Sequence, residues 1–272
     1  MQPKQLSFIK TSGCCLLCSL LISCAMMADS PYDLRIALEN KAYSIYYLFF
    51  DTIIFCGMFG NYYAAIICTV PFSKAYLHDY NSGRVWYMVF YQGKRNYIIK
   101  QFLKATIGSG ICLSLGYCFF ILILSLKLPF VNYQDIDSGL NTLPYVHYAF
   151  EGKAFIHQLI ICYYGFLTGS LWGAAAILSS AFIHDHLTVL AIPFFSRFLI
   201  VQMYRIFVVP ETYRLDSWLY MFTIYHSEPA TLVISTVSII LIGYIMYFIF
   251  YYKIRKDVFY ANRFTGMSTK RP

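Results

Sequence analysis

Charge is what this sequence has least of. Only 12% of its 272 residues are Asp, Glu, Lys or Arg, against 59% apolar, and the mean hydropathy is +0.57. A soluble domain of this length needs a charged skin, and too few residues are present to make one. The shortage falls hardest on acids, with 13 Asp and Glu against 21 Lys and Arg, a formal net charge of +8. In a chain built of apolar runs such a basic excess orients loops and meets anionic lipid. Nucleic acid is therefore excluded as a partner.

Catalytic signatures are scarce too. The sequence has no Gly-x-x-x-x-Gly-Lys-Ser/Thr, so it does not hydrolyse nucleotide by a P-loop mechanism. It has no His-Glu-x-x-His and no Glu-Glu pair. Gly169-Ser170 is a fragment of the Gly-x-Ser-Gly of rhomboid proteases, but the chain reads GSLWG and the pattern is broken. His184 and His186 flank Asp185, yet i and i+2 on a helix point to different faces, so they read as a solvated turn rather than a metal site. The nine cysteines, at 14, 15, 18, 24, 56, 68, 112, 118 and 162, lie in apolar runs. They read as small packing residues, not disulfides or metal ligands. The chain is not expected to be an enzyme, and no cofactor or metal is expected on it.

What is present is a set of six apolar stretches, at about 11–28, 46–72, 105–126, 158–182, 187–209 and 230–252. Each is long enough to cross a bilayer as a helix, the first at the short end of the range. The fold class is thus an all-α polytopic membrane protein, a single transmembrane domain over 1–272. The first run follows Lys4 and Lys10, and its 21–24 segment resembles a lipoprotein processing site, so a signal segment is an alternative to a retained span. Both readings leave Asp29 outside. Residues 29–45 read as a short polar loop, with Pro31 breaking the first helix. Gly165, Gly169 and Gly173 recur every four residues in the fourth run and predict a tightly packed small-residue face. Residues 210–229, rich in Tyr and Trp between two prolines, read as an interfacial or partly re-entrant segment.

Orientation follows from the basic residues. With the first ten residues inside, fourteen of the 21 Lys and Arg fall in inside segments and five in outside loops. Both termini, the 73–104 segment and the turn at 183–187 are then cytoplasmic. Within the spans, Asp51, Asn61, Arg197, Gln202 and Arg205 are exceptions to an apolar setting. Ions at such depth pair or face a cavity. Asp51 and Arg205 sit at similar depth near the outer ends of their runs, which predicts either a contact between them or separate snorkelling to the interface. Arg197, with Gln202, is expected to face a cavity or a subunit interface.

The 73–104 segment is the long polar break in the chain. It carries Lys74, Arg84, Lys94, Arg95, Lys100 and Lys104 against one acid, Asp79. Trp86, Tyr87, Phe90 and Tyr91 fall at i, i+1, i+4 and i+5 and predict a helix over 85–92 with an aromatic stripe. Such a stripe suits burial against a partner or against anionic headgroups.

The order Asp79, Gly83, then Gly93-Lys94-Arg95 and Tyr97, then Lys100 resembles the permease subunits of ABC transporters of the type-2 export family found in Gram-positive bacteria. The six spans, the inside ends and the 210–229 segment fit the same pattern, although the 127–157 loop is longer than a plain hairpin needs. The resemblance implies a coupling helix between the second and third spans, seated in a groove of a separate cytoplasmic ATP-binding subunit that holds ATP and Mg. It also implies a second permease subunit, identical or homologous, and export across the cell membrane. The aromatic, charge-poor spans suit an amphipathic or hydrophobic cargo such as a peptide, antibiotic or lipid-linked molecule. The alternative from another class is a non-transporting sensor, immunity or scaffold protein that uses the same loop.

Overall fold

A computed structural model describes residues 3–29, 31–40, 43–52, 62–130, 145–210, 214–215, 219 and 227–266, and among these the regular structure is helical, without strands. Eleven helices are used below. They are α1 (Pro3–Asp29), α2 (Pro31–Asn40), α3 (Ile45–Phe50), α4 (Ala64–Ile67), α5 (Val70–Asn81) and α6 (Arg84–Gln92). Then come α7 (Lys94–Ser125), α8 (Val146–Phe150), α9 (Ala154–Ser180), α10 (His186–Ile206) and α11 (Glu228–Gly266). Among the described residues five helices, α1, α7, α9, α10 and α11, are long and apolar enough to cross a membrane.

The bundle is organised on α7 and α9, whose contact is the most extensive among the described residues. They run antiparallel and close together, and the reason for the close approach is the small-residue face. A Cβ placed on Gly169 would stand 2.5 Å from the Ser109 carbonyl, and one on Gly173 would stand 2.6 Å from the Ala105 carbonyl. Only hydrogen fits there, so the backbones meet where larger residues would hold them apart. The four-residue repeat thus faces one partner along its length, with Gly110 of α7 closing on Ser170 and Phe166. On an adjoining face of α7, α1 packs in parallel. Ser19 donates its hydroxyl to the Cys112 carbonyl at 2.9 Å, and Gly116 accepts Ile22.

α11 runs parallel to α9, with the Tyr163 and Thr236 hydroxyls 2.8 Å apart and Phe102 of α7 against Tyr247 and Phe250. Much of α10 and α11 is apolar on the outside as well, exposing Phe195, Leu199, Val237, Ile240, Tyr244 and Phe248. A helix apolar all round fits a lipid setting.

The contacts sort the helix termini into two ends. At one end lie the close of α5, α6, the start of α7 and the turn before α10. There Tyr80 stacks on His184 at 4.2 Å, and Lys253 lies over the Phe182 ring at 5.7 Å. At the other end the Ile45 and Tyr46 amides donate to the Pro129 and Phe130 carbonyls. Glu228 there accepts the Tyr145 amide at 2.7 Å and lies 3.2 Å from the His147 ring.

Several expectations are revised. Pro31 does not leave a loop behind it; it stands at the start of α2, where its missing N–H costs nothing and its φ suits the helix. The 46–72 run is not one regular helix in its described parts. It has a π turn at 51–52 and a turn at Cys68 and Thr69 ahead of Pro71. Residues 53–61, Asn61 among them, lie outside the described residues. Helices α7 and α11 outrun the third and sixth apolar stretches, the one beginning at Lys94 and the other ending at Gly266.

Candidate functional site

The polar 73–104 stretch is helical almost throughout. α5 carries on past the apolar run to Asn81, α6 follows, and α7 starts at Lys94. The two corners are glycines with positive φ, Gly83 at 68° and Gly93 at 80°, where a side chain would be strained. They let three helices follow one another through two sharp changes of direction.

α6 has two apolar faces. Val85 is buried, and Met88 and Val89 pack against the core. The opposite face is bare: Tyr87 is 70% exposed, Phe90 93% and Tyr91 77%, with Trp86 beside them. The Tyr87 and Tyr91 rings lie 6.4 Å apart and nearly parallel, as the i, i+4 spacing dictates. A helix that touches the bundle with only one side and shows aromatics on the other has a surface built to be covered. Arg84 and Arg95 flank it, exposed, with Lys94 half-buried and Lys100 and Lys104 further along α7.

Asp79 does not face solvent alone. Its carboxylate accepts the Tyr97 hydroxyl at 3.1 Å and the Gln101 amide at 3.0 Å. Tyr97 is buried, and Gln101 stands one turn beyond it on α7. Three polar side chains thus strap the end of α5 to the start of α7 and hold α6 between them. Asp79 and Tyr97 were legible as a pattern in the sequence. Gln101 was not, although its i+4 relation to Tyr97 is the available signal.

Next to this surface the turn before α10 is fixed by Asp185, which caps the helix by accepting the Thr188 amide at 2.8 Å and its hydroxyl at 2.6 Å. These two bonds hold its carboxyl below the usual carboxylate range. His184, stacked on Tyr80, belongs to the same corner.

The intramembrane polar residues are only partly brought together. Asp51 is 6% exposed and Arg197 4%, so both charges are turned into the protein and neither snorkels to the surface. Arg197 stands on α10 between Phe194 and Phe198, the two rings on which Tyr62 packs at 5.4 and 6.4 Å. Gln202 is half-buried. The Arg205 side chain lies outside the described residues, and with it the expected contact to Asp51.

Compared with known proteins, the chain matches no family, no curated sequence and no solved structure.

Proposed function

We propose that this chain is the membrane-spanning permease subunit of an ABC transporter, with α6 as the coupling helix that docks a separate ATP-binding subunit. The observation that carries the proposal is the bare aromatic face of α6, strapped between two membrane-associated helices by Asp79, Tyr97 and Gln101. A rigid mount is what transmission requires. ATP-driven closure of the ATPase subunits would push α6, and the strap would pass the movement to α5 and α7 as a rigid-body shift. Burying each large aromatic contributes about 1.5–3 kcal/mol, so four of them make an anchor of hot-spot type.

Six spans fit this reading. α3 begins at one end of the bundle and α5 finishes at the other, which supports a crossing between them. Both termini and α6 would lie in the cytoplasm, on the basic side. A second permease copy or a homologue would complete the path. The cargo would be exported and amphipathic or hydrophobic. ATP and Mg would be held by the partner, and the buried Asp51 and Arg197 would stand near the moving parts of the membrane domain.

A second reading has α6 lying on lipid headgroups, favoured by the basic residues at its two ends. The two are separated by purification in mild detergent. The transporter reading expects a P-loop ATPase to co-purify, and expects Trp86→Ala with Tyr87→Ala to abolish its stimulation while membrane insertion stays normal. Recovery of no ATPase, or full coupling in the double variant, overturns the assignment and leaves a non-transporting sensor, immunity or scaffold protein.

A further inference from the structure

A cleft of about 600 Å³ opens along the bundle between α7, α9 and α11. Its walls are apolar, with Phe102, Ile107, Leu167 and Ile240 among them, and the cation Arg95 stands at one end. Gly243 lies in the floor with open space where a side chain would project.

Three features identify the occupant. The first is length. Along α11 the cleft runs from Tyr247 to Thr236, about 16 Å at 1.5 Å per residue. That matches the roughly 15 Å of one leaflet's hydrocarbon. The second is depth. Phe102 packs on Tyr247 and Phe250, and Lys253, Arg255 and Lys256 follow directly on α11. The level of Phe102 is therefore just below the headgroups. Arg95, two turns nearer the start of α7, stands among them. The third is charge. The one acid of the 73–104 stretch, Asp79, is already engaged by Tyr97 and Gln101. A guanidinium at headgroup depth takes phosphate in a forked hydrogen bond. A second copy of this chain in the same orientation would bring its own basic end to this level, so it does not supply the anion.

We infer that this cleft holds an acyl chain of an anionic glycerophospholipid from the leaflet on the basic side, with the lipid phosphate on Arg95. The occupant couples α11, otherwise bare along much of its length, to the α7–α9 pair.

The test uses the full chain, without any ATPase, in nanodiscs of equal phosphatidylglycerol and phosphatidylcholine. Lipid retained on extraction is counted by native mass spectrometry. The wild type is expected to keep phosphatidylglycerol in preference. Arg95→Gln is expected to lower that preference about five-fold, in line with one cation near a membrane surface, whereas Arg95→Lys keeps most of it. Gly243→Phe, whose Cβ would meet nothing within 4 Å, projects a ring into the tail space and is expected to lose a bound lipid. Unchanged lipid counts and preference in both Arg95→Gln and Gly243→Phe overturn the inference. So does efficient cross-linking of two chains through Gly243→Cys, which would show a second copy in the cleft. A negative result leaves the coupling role of α6 untouched, because no partner subunit enters the measurement.

Discussion

Gly169→Ala tests the α7–α9 seam most directly. A methyl at this position would sit 2.5 Å from the Ser109 carbonyl oxygen, 3.0 Å from the Gly110 Cα and 3.0 Å from the Leu113 Cβ. Comfortable separation is about 3.5–4.0 Å, so the helices must part by roughly 1 Å. Two of the three atoms belong to the α7 backbone and cannot turn aside as a side chain would. Overpacking of this sort costs about 1–3 kcal/mol. Gly173→Ala meets the Ala105 carbonyl at 2.6 Å on the same seam. One separation relieves both, so the double variant should cost less than the sum of the singles. Gly243→Ala is the control, since its methyl meets nothing within 4 Å. Helix propensity makes that change neutral or favourable, by up to about 1 kcal/mol. The assay is unfolding of purified protein in mixed detergent micelles, followed by tryptophan fluorescence. The reasoning is refuted if Gly169→Ala stays within about 0.5 kcal/mol of wild type, the range of inert surface changes, or if Gly243→Ala is equally damaging.

Tyr97→Phe removes one of the two donors to Asp79; a hydrogen bond to a charged group contributes about 1.5–3 kcal/mol, so α6 should loosen. Faster tryptic cleavage at Arg84 and Lys94 would register this, and an unchanged rate would show that the strap does not hold α6. Cys118 and Cys162 bring their sulfurs to 3.2 Å across α7 and α9. Copper-phenanthroline oxidation should yield a linked peptide pair by mass spectrometry, and its absence would contradict the helix register. Asp185 supplies a pH test. Its carboxyl is lowered by the bonds from Thr188, so its capping contribution is complete above the ordinary Asp value near roughly 3.9 and fades as pH falls through the lowered one. Hydrogen-exchange protection in the first turn of α10, taken relative to the intrinsic amide rate at each pH, should fall at acid pH. Asp185→Asn, also a good cap, should lose that pH dependence, and equal acid response in both proteins would count against it.

Much of this was legible beforehand because the signals are local or compositional. The Gly165, Gly169 and Gly173 repeat announces a close-packed face through spacing alone, and the structure seats it on α7. The aromatic stripe at 86, 87, 90 and 91 requires only helical periodicity, and it lies on one exposed face. The course of the chain at 46–72 was less legible. A change to π-helical backbone at 51–52 and a turn at Cys68 and Thr69 depart from the regular α-helix in a sequence whose hydropathy is continuous, and hydropathy does not record such departures within an apolar setting. Helix α2 was missed for the opposite reason. Pro31 does end the first helix, since α1 stops at Asp29, but the same residue type also suits the start of the next one, where the sequence suggests only a loop.

Composition by itself determined that this chain belongs in a membrane, because 12% charge cannot solvate a 272-residue surface. Its Lys and Arg placement predicted an orientation through the electrostatics of insertion, a property of loops rather than of packing. The tertiary structure decided which side chains share a site. It strapped Asp79 to Tyr97 and Gln101, turned Asp51 and Arg197 inward, and set Arg95 at the mouth of an apolar cleft formed with two helices distant in sequence. Those are relations between helices. They depend on which ridges meet at the glycine seam, and no periodicity within one helix encodes them.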